Sequence, residues 1–141
     1  MAVEVLVDTG AILALLDESD TWHLACAATY RKLPLPLLTS EAVLTETFHL
    51  IKRKRTEVDV VWEQIRSGTI QMAKIEDSEL PQLEKLMRRY RHRPMDFADA
   101  TLVYLAERES IQIVFTVDQE DFATYRIRGK QRFHILPMER P

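Results

Sequence analysis

The chain has 141 residues, 46% of them hydrophobic and 29% charged, with a formal net charge of −3. That length suits one domain, 1–141, with a buried core, and the charge excludes a global basic field of the kind that marks many nucleic-acid binders. Cys26 is the only cysteine, which rules out an internal disulfide and a cysteine-rich metal site, and three glycines leave no P-loop and no GxGxxG turn.

The first hydrophobic run, Val3-Glu4-Val5-Leu6-Val7, has β-branched residues at 3, 5 and 7 and reads as a buried strand. It breaks at Asp8, and Thr9 and Gly10 lead into an apolar helical run, Ala11 to Leu16. A strand that turns straight into a helix puts Asp8 at the carboxyl edge of a sheet, where open α/β sheets bind ligands. Asp17-Glu18-Ser19-Asp20 is a polar turn, and a helix follows from about Trp22 to Lys32, ended by Leu33-Pro34-Leu35-Pro36. Leu37 to Thr39 reads as a short strand. Ser40 is a good N-cap for a helix from Glu41 to Arg55, which carries Glu46.

A helix from about Val58 to Arg66 stops at Gly68, and Ile70 to Ile75 alternates as a third strand. Ser78 to Tyr90 is a charged amphipathic helix, followed by the basic linker Arg88 to Pro94. Asp96 is a plausible N-cap for a helix that runs to about Glu109, and Asp99 falls one turn later on the same face. Ile111 to Val117 is the second β-branched run and also ends in a carboxylate, Asp118. Glu120 to Arg126 reads as a short helix and Phe133 to Leu136 as a last strand. Alternating strands and helices predict a three-layer α/β/α fold with a central parallel sheet.

Two strands thus end in Asp8 and Asp118, and two helices carry Glu46 and Asp99 near their starts. In a parallel sheet, helices begin at the carboxyl edge of the strands they follow, so the four acids can converge. Such a cluster needs protons or cations to relieve its repulsion. Mg²⁺ or Mn²⁺ is the natural partner of oxygen donors, and with substrate phosphate would support phosphodiester hydrolysis. Taken singly, each acid has a local alternative: Asp8 and Asp118 as helix caps, Asp99 as a first-turn carboxylate favoured by the helix dipole, Glu46 as a solvated helix residue. Asp96 and Asp121 fit capping or supporting roles.

Val7-Asp8-Thr9, Ser40 to Glu46, Met95 to Ala100 and Phe115 to Phe122 resemble the motifs of PIN-domain ribonucleases. The likeness is strongest to the prokaryotic toxin branch, the VapC-type toxins of toxin–antitoxin pairs. It spans nearly the whole chain, with four acidic motifs in the family's order. The resemblance implies that Asp8, Glu46, Asp99 and Asp118 are catalytic and metal-binding, that Thr9 and Thr116 are hydroxyl neighbours of the cluster, and that Asp96 and Asp121 are accessory. It further implies an RNA substrate, a small protein antitoxin and a homodimer.

An RNA backbone needs cations. Lys52 to Arg55, Arg88 to Arg93 and Arg126 to Arg132 are basic, and Arg88, Arg89 and Arg91 are the preferred contacts because they directly precede the Asp96–Asp99 helix. No run approaches a membrane span, and the N-terminus enters a strand directly, so the expected location is the cytoplasm. Rival readings fit less well. A phosphoacceptor receiver domain would want an acidic pair after the first strand, and a haloacid-dehalogenase-type phosphatase a second Asp where Gly10 stands. A non-catalytic RNA-binding scaffold of the same fold would be expected to lose some of the acids, and all are kept.

Overall fold

A computed structural model describes residues 2–141. The elements run β1 (Val5–Val7), α1 (Thr9–Leu16), α2 (His23–Tyr30), β2 (Leu37–Ser40), α3 (Glu41–Ile51), α4 (Arg55–Arg66) and β3 (Ile70–Ala73). A 3₁₀ turn (Asp77–Glu79) then leads to α5 (Leu80–Arg89), α6 (Phe97–Glu109), β4 (Ile113–Phe115), α7 (Gln119–Thr124), β5 (Arg126–Ile127), β6 (Gln131–Arg132) and β7 (His134–Leu136).

The main sheet has five strands in the order β3-β2-β1-β4-β7, and every neighbouring pair is parallel. Successive strand residues point to opposite faces. All of β1 and β2 is nonetheless buried, so helices cover both faces of the sheet centre and the three-layer expectation holds. Val5, Leu6 and Val7 lie beside Ile113, Val114 and Phe115, in the middle of the core.

The chain leaves β1 toward β2 and β3 on one side, then returns to build β4 and β7 on the other. The order therefore switches direction between β1 and β4, the place where open α/β sheets hold ligands. Gly10 permits the close fit at this junction: a Cβ there would collide with Cγ2 of Val117.

The differences from the sequence reading are local. The helix expected from Glu41 to Arg55 breaks after Ile51, and α4 starts at Arg55 rather than Val58. Pro81 suits the first turn of a helix, where its missing N–H is unneeded, and α5 accordingly starts at Leu80 after the 3₁₀ turn. The helix expected to reach Arg126 ends at Thr124 because Arg126 and Ile127 pair antiparallel with Arg132 and Gln131. Arg128 (φ 54°) and Gly129 (φ 72°) both take positive φ at the tip, as a tight hairpin turn requires.

Candidate active site

Asp8 follows β1, its N–H donating to the Phe115 carbonyl at 3.0 Å, so it begins where the sheet ends. It is 2% exposed. Its Oδ1 accepts the Thr9 N–H at 2.8 Å and its Oδ2 accepts the Thr116 hydroxyl at 2.9 Å. Burial raises the carboxyl to about 6 against the pull of those two bonds, and the charges of Asp118 and Glu46 push the same way.

Asp99 sits in the first turn of α6, buried, with its N–H capped by Asp96 Oδ1 at 2.8 Å. Tyr125 donates its hydroxyl to Asp99 Oδ2 at 2.8 Å. Burial, then the charge of Asp8, raise Asp99 to about 8; Tyr125 opposes this, while Asp96 and Asp118 add to it. Asp118 stands at the start of α7 but makes no side-chain cap bond. Its pKa is raised, first by desolvation and then by Asp121, Asp96 and Glu46. Glu46 lies on α3, exposed, and its charge is felt at both Asp8 and Asp118.

The four acids named from the sequence thus share one edge of the sheet: Asp8 feels the charges of Asp118 and Glu46, Asp99 those of Asp8 and Asp118, and Asp118 that of Glu46. Among the described residues, none of them pairs with a Lys or Arg. Equally, among those residues no three His, Cys, Asp or Glu side chains are spaced as a ready-made ion site. Carboxylate oxygens raised by burial and by neighbouring acids, none of them paired to a Lys or Arg among the described residues, are donor chemistry that suits a hard divalent ion.

The accessory residues divide. Thr116 bridges the cluster, donating to Asp8 and accepting the Asp118 N–H at 3.0 Å. The Thr9 hydroxyl turns instead to the Val43 carbonyl at 3.3 Å. Asp96 is the N-cap of α6, and Asp121 pairs with Arg93 at 3.2 Å. Arg88 pairs with Glu84 at 3.0 Å, and Arg91 Nε donates to the Arg88 carbonyl at 3.3 Å. Arg89 lies over Gly129 of the hairpin. Arg93, rather than those three, is the linker cation that reaches the acidic edge. Tyr125 is the residue that sequence reasoning misses: nothing in its spacing separates it from a core aromatic, and its ring is in fact core, 1% exposed.

A family model described as "PIN domain" matches residues 5–127, and the chain belongs to that family. Over 136 residues the chain is 27% identical to Ribonuclease VapC26 of Mycobacterium tuberculosis, covering 94% of this chain and 100% of that protein. The fold is similar to the crystal structure of Mycobacterium tuberculosis VapC20, a sarcin-ricin loop cleaving toxin, with TM-score 0.70, 24% identity, and 79% and 87% of the two chains covered. It is also similar to a chain of a toxin–antitoxin complex from Klebsiella pneumoniae, with TM-score 0.66, 18% identity, and 86% and 92% coverage. Among the described residues no helix is long and apolar enough to cross a membrane.

Proposed function

We propose that this chain is a Mg²⁺- or Mn²⁺-dependent endoribonuclease, working as one nuclease domain and as the toxin of a toxin–antitoxin pair. The observation that carries the reading is the convergence of Asp8, Asp99 and Asp118, their carboxyls raised by burial and by neighbouring acids, with Glu46 beside them and, among the described residues, no Lys or Arg paired to any of the four, at the β1/β4 switch of a PIN fold. The similarity to Ribonuclease VapC26 supports RNA as the substrate.

Asp8, Glu46, Asp99 and Asp118 would hold the ion. When bound, it supplies an activated water and neutralises charge on the leaving oxygen of the phosphodiester. Thr116 fixes Asp8 and, through the Asp118 N–H, the start of α7, so two of the acids keep a set separation. Asp96 holds the first turn of α6 and with it Asp99. Arg93, half-exposed beside Asp121, offers positive charge at the acidic edge for an RNA backbone, and Arg88, Arg89 and Arg91, earlier in the same linker, would extend that charge along a bound strand.

The partners follow the same reading. An apolar cavity of about 210 Å³ bounded by Ile12, Leu15, Leu16, Tyr30 and Val60 supports a small protein antitoxin docking on the early helices. Exposed Leu80, Phe97 and Met72 line a groove beside Glu46 and support a homodimer. The cytoplasm, where RNA and antitoxin are met, is the place of action.

The test is cleavage of single-stranded RNA by purified, partner-free protein. Cleavage should require Mg²⁺ or Mn²⁺ and stop in EDTA. Cleavage undiminished by EDTA contradicts the mechanism.

A further inference from the structure

We infer that Tyr125 is a positioning residue of the metal site: its hydroxyl orients the Asp99 carboxylate so that one oxygen is committed to the phenol and the other is presented to the ion. The inference deepens the metal-dependent reading above and rests on it.

Three observations carry it. First, the phenol donates to Asp99 Oδ2 at 2.8 Å, and among the described residues no hydrogen bond reaches Asp99 Oδ1. Oδ1 is also not among the sealed, partnerless atoms of the structure, so it keeps contact with solvent although the residue as a whole is only 5% exposed. The carboxylate is therefore asymmetric: one oxygen is held and one is open. Second, the ring cannot swing away. It packs edge-on against Phe122 at 5.2 Å and Tyr90 at 5.1 Å between centroids and is 1% exposed. Third, the bond joins two acid-bearing elements. Tyr125 closes α7, its N–H bonded to the Asp121 carbonyl at 3.1 Å, while Asp99 opens α6. One hydroxyl thus ties the Asp99 turn to the helix that starts beside Asp118, as Thr116 ties Asp8 to the Asp118 backbone. Groups that orient metal ligands in this way typically change affinity by about 10- to 100-fold when removed.

A merely structural tyrosine would satisfy its own buried hydroxyl and do nothing more. Tyr125→Phe separates the two roles, because it keeps the ring packing and removes one oxygen. Tyr90→Phe is the matched control: it also removes one hydroxyl, which accepts the Arg126 N–H at 2.9 Å and does not touch an acid. The readouts are Mn²⁺ affinity by calorimetry or by electron paramagnetic resonance of free Mn²⁺, and melting in EDTA. Tyr125→Phe should weaken Mn²⁺ binding about tenfold or more while melting within a few degrees of wild type. Tyr90→Phe should leave Mn²⁺ affinity within about twofold.

Equal Mn²⁺ affinity of wild type and Tyr125→Phe overturns the inference and leaves the metal site standing. A wild type that binds no Mn²⁺ overturns both. If Tyr125→Phe does not fold, fluorine NMR of wild type labelled with 3-fluorotyrosine decides. Saturating Mg²⁺ should then shift the one tyrosine resonance that persists in each of Tyr30→Phe, Tyr90→Phe and Tyr104→Phe, and no shift of that resonance at saturation overturns the inference.

Discussion

The Thr116 hydroxyl donates to Asp8 Oδ2 at 2.9 Å and at the same time accepts the Asp118 N–H at 3.0 Å. One buried side chain therefore links the acid that ends β1 to the backbone of the acid that follows β4. These strands are parallel neighbours whose pairing runs Val7 against Phe115, so the link spans the switch in strand order.

Replacing Thr116 with Val keeps the shape and removes both bonds. Asp8 Oδ2 and the Asp118 N–H then lose their partner, which costs about 1–3 kcal/mol for each group that stays buried and unpaired. Thr116→Val should melt clearly below wild type, and Thr116→Ser should recover most of the loss. A Val variant as stable as wild type would show that the bridge adds nothing to the fold.

The raised carboxyls give stability a distinct pH dependence in the absence of metal. Asp8 is raised to about 6 and Asp99 to about 8, both from 3.8, so the folded chain binds more protons than the unfolded chain across that range. The resulting destabilisation is full above each raised value and is lost progressively as pH falls from it toward 3.8. In EDTA the protein should melt higher near about pH 5.5 than near about pH 8.5, and Asp99→Asn should flatten the upper part of that slope. Melting that rises with pH over this window would contradict the electrostatic description.

Gly10 and Val117 meet where β1 passes into α1. Gly10→Ala drives a Cβ into Val117, one residue before Asp118. Overpacking of this kind costs about 1–3 kcal/mol. The variant should lose stability and Mn²⁺ affinity together, and adding Val117→Ala should restore part of both. If Gly10→Ala matches wild type in both, the close approach is unimportant.

Much of the fold, and the placing of the candidate acids at one sheet edge, is legible in the sequence because the signals are strong and local. β-Branched runs mark β1 and β4, Ser40 and Asp96 mark helix starts, and each strand-end acid follows its run directly. The β5–β6 hairpin is not legible. Its tip is Arg128-Gly129 rather than Asn-Gly, and its strands are two residues each, too short for alternation to register. Tyr125 is hidden for a different reason: an aromatic beside Phe122 looks the same in sequence whether or not its hydroxyl meets an acid. The cationic linker stands out in the sequence, but one dimension cannot show that Arg88 is committed to Glu84 while Arg93 turns to Asp121.

For RNA binding, replacing Arg88, Arg89 and Arg91 with Gln should weaken affinity and flatten its salt dependence. On a single strand the logarithmic slope should fall by about 0.7 for each phosphate that is no longer neutralised. Arg93→Gln alone should act in the same direction. An unchanged salt slope in the triple variant would make that stretch a solvated surface.

The central claim is that Asp8, Glu46, Asp99 and Asp118 form one cation site rather than a set of helix caps. It is tested most directly by melting wild type and Asp99→Asn, each in EDTA and in millimolar Mn²⁺ at neutral pH. A ligand that binds only the folded state raises the melting point by mass action. Wild type should gain clearly from Mn²⁺. Asp99→Asn, freed of a carboxyl that holds its proton up to about 8 in the folded chain but gives it up near 3.8 unfolded, should melt as high as wild type or higher in EDTA and lose most of the Mn²⁺ gain. A wild type indifferent to Mn²⁺, with a mutant that melts lower in EDTA, would contradict the account.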